Sequence, residues 1–196
     1  ILPQAEYGNY FALFNFSLIF FIVLDLGLNG YNTTQMSRNP TKIQHLAGSI
    51  VSLKLLLSVV YVGLVFAVGS VLGYGAVEFK LLLFLCLLQI LTSFNQYFRT
   101  IVASLQYFKL DGVFMVLDRL IIVVLCAILI WGNIPGISLS ISLFVYIQIL
   151  GVATVLLVLV FFLRKHLEAI SFSFRLKTLK PILRKSWPFA LLVTLM

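Results

Sequence analysis

The sequence predicts an all-α polytopic membrane protein: a helical bundle with five complete transmembrane helices and the start of a sixth. Composition is the first reason, since 62% of the residues are hydrophobic and 10% are charged, against about 25% charged in soluble domains. Apolar runs are the second, because a helix needs roughly 20 residues to cross a hydrocarbon core of about 30 Å. The alternating pattern of barrel strands is absent, which favours helices.

Five apolar runs are long enough to span a membrane. They cover residues 10–28, 47–73, 81–98, 112–131 and 137–163. A sixth run begins at Trp187 and stops at Met196. The first residue is Ile1 rather than a methionine, so we expect the chain to be part of a longer protein.

Basic residues are concentrated in alternate connections between these runs. The connections 30–46, 99–111 and 164–186 hold eleven of them: Arg38, Lys42, Arg99, Lys109, Arg164, Lys165, Arg175, Lys177, Lys180, Arg184 and Lys185. The opposite connections hold Lys80. By the positive-inside rule the first set is cytoplasmic. The net charge of +8 therefore indicates membrane orientation, and no nucleic-acid partner is predicted.

Turn residues divide the chain into hairpins. Gly73-Tyr74-Gly75 and the Gly/Pro-containing segment 132–136 predict tight turns, which pair the second run with the third and the fourth with the fifth. Asn39-Pro40 is expected to end any helical extension of the first run. We assign residues 1–163 to an N-terminal transmembrane bundle, 164–186 to a basic cytoplasmic connector and 187–196 to the start of the next transmembrane helix. Apolar residues among the bases of 164–186 predict an interfacial helix on an anionic leaflet.

The third run carries polar residues at helical spacing. Gln89, Thr92, Ser93 and Gln96 fall at i, i+3, i+4 and i+7, and Arg99 with Thr100 continues the row. This spacing places them on one helix face. An unpaired amide in hydrocarbon costs several kcal/mol. The face is therefore expected either to hydrogen-bond other helices or to line a hydrophilic pathway.

Four charged residues lie inside predicted spans: Asp25, Lys54, Asp118 and Arg119. Lys54 either snorkels to the interface or joins a buried cluster. The shorter side chains of the two aspartates cannot extend to the interface, so each is expected to pair with a base on a neighbouring helix. Residues 118 and 119 lie about 100° apart on a helix, which predicts different neighbours. Together these residues indicate a charge cluster at the cytoplasmic mouth of a bundle.

Neither a catalytic site nor a metal site is predicted. His45 and His166 lie at membrane edges without a suitably spaced carboxylate, and Cys86 and Cys126 lie inside spans. No phosphate loop, nucleophile motif or paired catalytic carboxylates occur in the sequence. We therefore expect no enzyme activity and no cofactor in this chain.

Several stretches resemble the polysaccharide flippases, the O-antigen and capsule transporters of the multidrug/oligosaccharidyl-lipid/polysaccharide exporter superfamily. They are Tyr7-Gly8-Asn9-Tyr10, Asp25-Leu26-Gly27-Leu28, Ser37-Arg38-Asn39, Phe98-Arg99, Asp118-Arg119 and Trp187-Pro188-Phe189-Ala190. The resemblance implies part of a two-bundle transporter of the bacterial inner membrane, built around a central cavity. The chain would hold the second to sixth helices and the start of the seventh, with 164–186 connecting the halves and the first helix missing.

The resemblance also implies a cargo. Such proteins move oligosaccharides linked to undecaprenyl pyrophosphate across the bilayer by alternating access. Arg99 and Arg119 would hold the pyrophosphate, and Asp25 and Asp118 would tune or gate them. The further cavity candidates are Lys54, Gln89, Ser93 and Gln96.

Two other functions stay open from the sequence. A multidrug-type cation antiporter of the same superfamily would share the fold, but binding of cationic drugs would require a more acidic cavity. A membrane-embedded acyltransferase or glycosyltransferase of polysaccharide biosynthesis would need an acid/base pair or a carboxylate cluster. The sequence identifies neither the sugar nor a coupling ion.

Overall fold

A computed structural model describes residues 4–38, 43–131, 140–167 and 176–195. These ranges form helices and contain no β-strand. The helices are α1 (Gln4–Ile19), α2 (Ile22–Asp25), α3 (Leu28–Arg38), α4 (Ile43–Val71), α5 (Ala76–Ser104), α6 (Phe108–Trp131), α7 (Ile141–Leu167) and α8 (Leu176–Leu195).

Five helical segments are long and apolar enough to cross a membrane. They are Glu6–Met36, Ala47–Val71, Ala76–Ser104, Phe108–Leu129 and Ile141–Arg164. The five-span, all-α fold predicted from the sequence is therefore confirmed. Helix α8 carries the sixth apolar run and continues through residues 186 and 187 without a break, although it contains Pro181 and Pro188.

The first span is broken, which the sequence did not predict. Residues 20 and 21 form a turn between α1 and α2. Leu26 and Gly27 then adopt positive φ angles of 41° and 74° between α2 and α3. Gly27 accepts this conformation without steric cost, whereas Leu26 is strained by it. The span is thus three helical pieces instead of one continuous helix.

The predicted turn at Gly73-Tyr74-Gly75 is confirmed. Gly73 has a φ angle of 76°, and the Tyr74 amide donates to the Gly69 carbonyl, which turns the chain from α4 into α5. The second predicted turn, residues 132–136, lies outside the described residues. So do Asn39-Pro40 and residues 137–139 of the fifth predicted span.

Helix α5 is the centre of the bundle, in contact with α1, α3, α4, α6 and α7. Two clusters of buried hydrophobic side chains surround it. One, towards the predicted cytoplasmic end, includes Met36, Ala47, Ile101 and Leu163. The other, towards the opposite end, includes Tyr10, Leu13, Val65, Leu82 and Val145. Polar side chains of α5 are held between these two clusters.

Candidate substrate cavity

The polar row on α5 divides between two environments. Ser93 is 2% exposed and faces α2 and α4, where it contacts Lys54. Thr92, Gln96 and Arg99 instead line a cavity between α5, α6 and α7. Both possibilities left open by the sequence, helix–helix hydrogen bonding and a hydrophilic lining, are therefore present on one helix.

The cavity has a volume of about 220 Å³. It is lined by Thr92, Asn95, Gln96, Arg99, Phe114, Met115, Asp118, Arg119 and Val155. An adjoining cavity of about 360 Å³ shares Thr92, Gln96, Asp118 and Arg119 and extends to Gln89 and Gln148. At a rise of about 1.5 Å per residue, Arg99 lies roughly 8 Å and Gln89 roughly 22 Å from the end of α5 at Ser104. The two cavities together form a crevice that reaches the middle of α5.

Arg99 is held at the predicted cytoplasmic end of this crevice. Its Nε donates to Asp111 Oδ1 at 2.8 Å, and both side chains are about one quarter exposed. The pair joins the last turns of α5 to the start of α6. This bond uses the Nε–H, which is one of the five N–H donors of the guanidinium. Asp111 was not among the site residues predicted from the sequence, although it lies twelve residues after Arg99 across a short turn.

Arg119 and Asp118 lie deeper, on α6. The Arg119 side chain is 78% exposed, and its Nε is 4.0 Å from Asp118 Oδ2. Asp118 Oδ1 also accepts a hydrogen bond from the Arg119 backbone amide at 2.7 Å. The expectation that these neighbours point to different helices is wrong, because Asp118 turns towards the backbone amide and the side chain of Arg119. The expectation that Asp118 pairs with a base on a neighbouring helix is wrong for the same reason, since its ion pair within the described residues is with Arg119 of its own helix. Such an exposed pair contributes at most about 1 kcal/mol, so Arg119 is available to a ligand.

Asn95 lines the cavity and was not predicted from the sequence. It is 7% exposed, and its Nδ2 donates to the Val152 carbonyl of α7 at 2.9 Å. Its Oδ1 is buried without a hydrogen-bond partner in the described part of the chain. Such an orphan acceptor costs about 1–3 kcal/mol until a donor reaches it. Thr92, Asn95 and Arg99 follow the i, i+3, i+7 spacing, and this pattern could have identified it.

Gln148 closes the crevice towards the predicted outer side. Its Nε2 donates to the Tyr10 hydroxyl at 3.0 Å, which ties α7 to α1. The Tyr10 ring meets Phe144 edge-on, with ring centroids 5.8 Å apart. Gln89 lines the same region, 3% exposed, with Nε2 3.5 Å from Ser17 Oγ. The crevice therefore ends at an aromatic and amide layer.

Asp25 and Lys54 do not line either cavity. Lys54 is 1% exposed, and its Nζ lies 3.3 Å from Asp25 Oδ1 and 2.7 Å from Ser93 Oγ. The prediction that Asp25 pairs with a base on a neighbouring helix is confirmed. The alternative in which Lys54 snorkels is wrong, because the broken first span brings oxygen atoms to the ammonium inside the bundle. The predicted single charge cluster is wrong, because α5 lies between the Asp25–Lys54 pair and Arg119.

No group of three or more His, Cys, Asp or Glu side chains is placed to hold a metal ion within the described ranges. Cys86 is buried and Cys126 is half-buried, and both are free thiols. The polar groups of the crevice are two guanidinium groups, the Asp118 carboxylate, side-chain amides and the Thr92 hydroxyl. Groups of this kind can form hydrogen bonds and ion pairs with a polar ligand.

Comparison with known proteins identifies a family for the chain. Residues 1–194 match the family model described as polysaccharide biosynthesis protein. Comparisons with curated proteins and with solved structures return no match. The family match covers nearly all of the 196 residues and confirms the resemblance noted in the sequence. This multi-pass membrane chain belongs to the polysaccharide biosynthesis protein family.

Proposed function

We propose that the protein moves lipid-linked oligosaccharide or polysaccharide repeat units across the bacterial inner membrane by alternating access. One observation carries the proposal: a polar crevice containing two arginines lies within membrane-spanning helices of a polysaccharide biosynthesis protein. Charged groups at membrane depth are costly and typically mark substrate pathways. The cargo proposed is an oligosaccharide joined to undecaprenyl pyrophosphate.

The charges of the crevice suit an anionic headgroup. Arg99 and Arg119 line it together with one acid, Asp118. A guanidinium can bind a phosphate through two parallel hydrogen bonds, and this interaction is stronger where water is scarce. Arg119 is exposed into the crevice and only weakly paired, so we assign it the leading role in binding the pyrophosphate. Arg99 acts nearer the cytoplasmic mouth, where Asp111 orients it.

The uncharged lining suits sugar hydroxyls. The Asn95 Oδ1 is an acceptor without a partner in the described structure, and a sugar hydroxyl is a donor that would satisfy it. Thr92 and Gln96 lie on the same wall. Ligand pockets typically measure about 300–1,000 Å³, so the two cavities fit a headgroup and its adjoining sugars rather than a long chain.

The test uses the full-length protein reconstituted in liposomes and measures the transbilayer movement of a lipid-linked oligosaccharide. We expect Arg119→Gln to reduce the transport rate roughly tenfold or more, the value of one lost charge-assisted hydrogen bond. Lys109→Gln is the matched control, because Lys109 is exposed on the same helix, carries the same charge and does not line the crevice. The control should transport like the unchanged protein.

Equal loss in both variants would show that overall positive charge matters and would remove Arg119 from the pathway. If the unchanged protein moves no polyprenyl-linked sugar under any ion gradient, the proposed function is wrong. Export of organic cations would then favour an antiporter. Turnover of a sugar or acyl donor without transport would favour a membrane-embedded transferase.

A further inference from the structure

The break in the first span leaves backbone oxygens without their usual helical partners. The last carbonyls of a helix have no amide to accept from, and together they carry a partial negative charge. Helix α2 ends at Asp25, and the following residue Leu26 is in the left-handed conformation. The Leu24 carbonyl oxygen and the Asp25 carboxylate therefore lie together at a negatively polarised helix end, inside the bundle.

The Lys54 ammonium occupies this position. Its Nζ lies 3.2 Å from the Leu24 carbonyl oxygen and 3.3 Å from Asp25 Oδ1. On the other side it lies 2.7 Å from Ser93 Oγ and 3.5 Å from the Ser93 carbonyl oxygen. The Tyr97 ring completes the enclosure, with its centroid 5.9 Å from Nζ. Four oxygens from two segments of the chain, the end of α2 and the middle of α5, thus surround one positive charge.

This set of oxygens is the kind that binds an alkali ion. Hard cations take carboxylate, carbonyl and hydroxyl oxygens as ligands. In transporters with discontinuous helices, unwound carbonyls and half-helix C-terminal ends coordinate the coupling Na⁺. A buried ion pair is an expensive way to stabilise a fold, since well-packed apolar side chains often do as well. The oxygens at the break therefore suit a cation, and the Lys54 ammonium of the same chain is in that position.

We propose that the Lys54 ammonium is a tethered cation that occupies an alkali-ion site at the break in the first span. It supplies the single positive charge that a bound Na⁺ would otherwise supply to the Leu24 carbonyl, Asp25 and Ser93. The unchanged protein consequently binds no Na⁺ at this place. Removing the ammonium and its side chain leaves a cavity with the oxygen ligands in position, and this cavity takes up Na⁺. Binding of Na⁺ at this place does not depend on which cargo the protein moves.

The experiment compares two substitutions in the full-length protein in lipid nanodiscs. Lys54→Ala removes the charge and opens the site, whereas Lys54→Met removes the charge and fills the space. The thermal midpoint and the binding of radioactive Na⁺ are measured in NaCl and in choline chloride of equal ionic strength. We expect Lys54→Ala to bind Na⁺ saturably and to be stabilised in NaCl by about 2 °C or more once Na⁺ is tenfold above its dissociation constant. Lys54→Met and the unchanged protein should show neither effect.

The double variant Lys54→Ala, Asp25→Asn tests the ligand set. It should lose the Na⁺ effect, because the site no longer carries a negative charge. Equal midpoints of Lys54→Ala in the two salts would overturn the proposal and leave Lys54 as a structural ion pair. Failure of Lys54→Ala to fold in NaCl while Lys54→Met folds would overturn it as well. So would saturable Na⁺ binding to the unchanged protein that Asp25→Asn abolishes.

Discussion

Replacing Gly27 by alanine adds one methyl group at the point where the broken first span meets α8. Gly27 has a φ angle of 74° and is buried. A Cβ there would overlap the Ser186 carbonyl oxygen and the Ala190 amide nitrogen, and would lie 2.8 Å from the Phe189 carbonyl carbon. All three are backbone atoms of α8, so no side-chain rotation can make room. The helix must move away, or the break must change its conformation.

Two costs add for Gly27→Ala. The left-handed conformation costs an L-residue about 1–2 kcal/mol. Forcing apart well-packed segments costs about 1–3 kcal/mol more. The free energy of unfolding should therefore fall by roughly 2–5 kcal/mol, and the thermal midpoint by roughly 4–10 °C.

Thermal unfolding of the full-length protein in nanodiscs measures this shift. Gly63→Ala is the control, because a Cβ at Gly63 in α4 meets nothing within 4 Å. Alanine is the better helix former by about 0.5–1 kcal/mol, so this variant should be slightly more stable. The reasoning is refuted if Gly27→Ala melts within a degree of the unchanged protein. It is equally refuted if the two variants lose the same amount.

Three further predictions use the same stability measurement. Tyr61→Phe should lower the free energy of unfolding by about 1 kcal/mol, because it removes the hydroxyl that donates to the Ser17 carbonyl at 3.0 Å. An unchanged thermal midpoint would show that this hydrogen bond does not stabilise the protein. Gly73→Ala should lower the free energy of unfolding by about 1–2 kcal/mol through its φ angle of 76° alone, since a Cβ there meets nothing within 4 Å. A loss as large as that of Gly27→Ala would contradict the assignment of separate costs to the φ angle and to the overlap with α8. Asn95→Leu should change stability by less than about 1 kcal/mol, because it removes the unpartnered Oδ1 together with one hydrogen bond, and yet slow oligosaccharide transport several-fold. Unimpaired transport by Asn95→Leu would remove this residue from the sugar-binding wall.

The five spans could be predicted from the sequence because any helix that crosses the hydrocarbon core must be long and apolar, whatever its position in the fold. The tight turn at Gly73 was predicted for a local reason, the glycines themselves. The break at Leu26-Gly27 is different, because one glycine within an apolar run is common and leucine disfavours a positive φ. It is stabilised by partners distant in the chain, Lys54 and α8.

The candidate site could be predicted only in part, because it too depends on contacts between residues distant in the chain. Helical spacing identified the row that begins at Gln89, but it could not show which members face the crevice. That depends on how α5 is rotated against α4 and α7, and therefore on side-chain packing across the whole bundle. Ser93 consequently turned out to contact Lys54, whereas its neighbour Thr92 lines the crevice. Whether the lining residues bind cargo stays a prediction.

The connection between α5 and α6 limits how the crevice can change size. Gln106 and Tyr107 donate back to Ala103 and Val102 in this short turn, and Arg99 is paired with Asp111 across it. The two helices are thus joined at one end, so a tilt of α6 relative to α5 would pivot there. At about 1.5 Å per residue, Arg119 lies roughly 16 Å from the start of α6, so a tilt of about 10° displaces it by about 3 Å. That displacement equals the length of one hydrogen bond, so a small tilt of a single helix suffices to make or release a contact at Arg119.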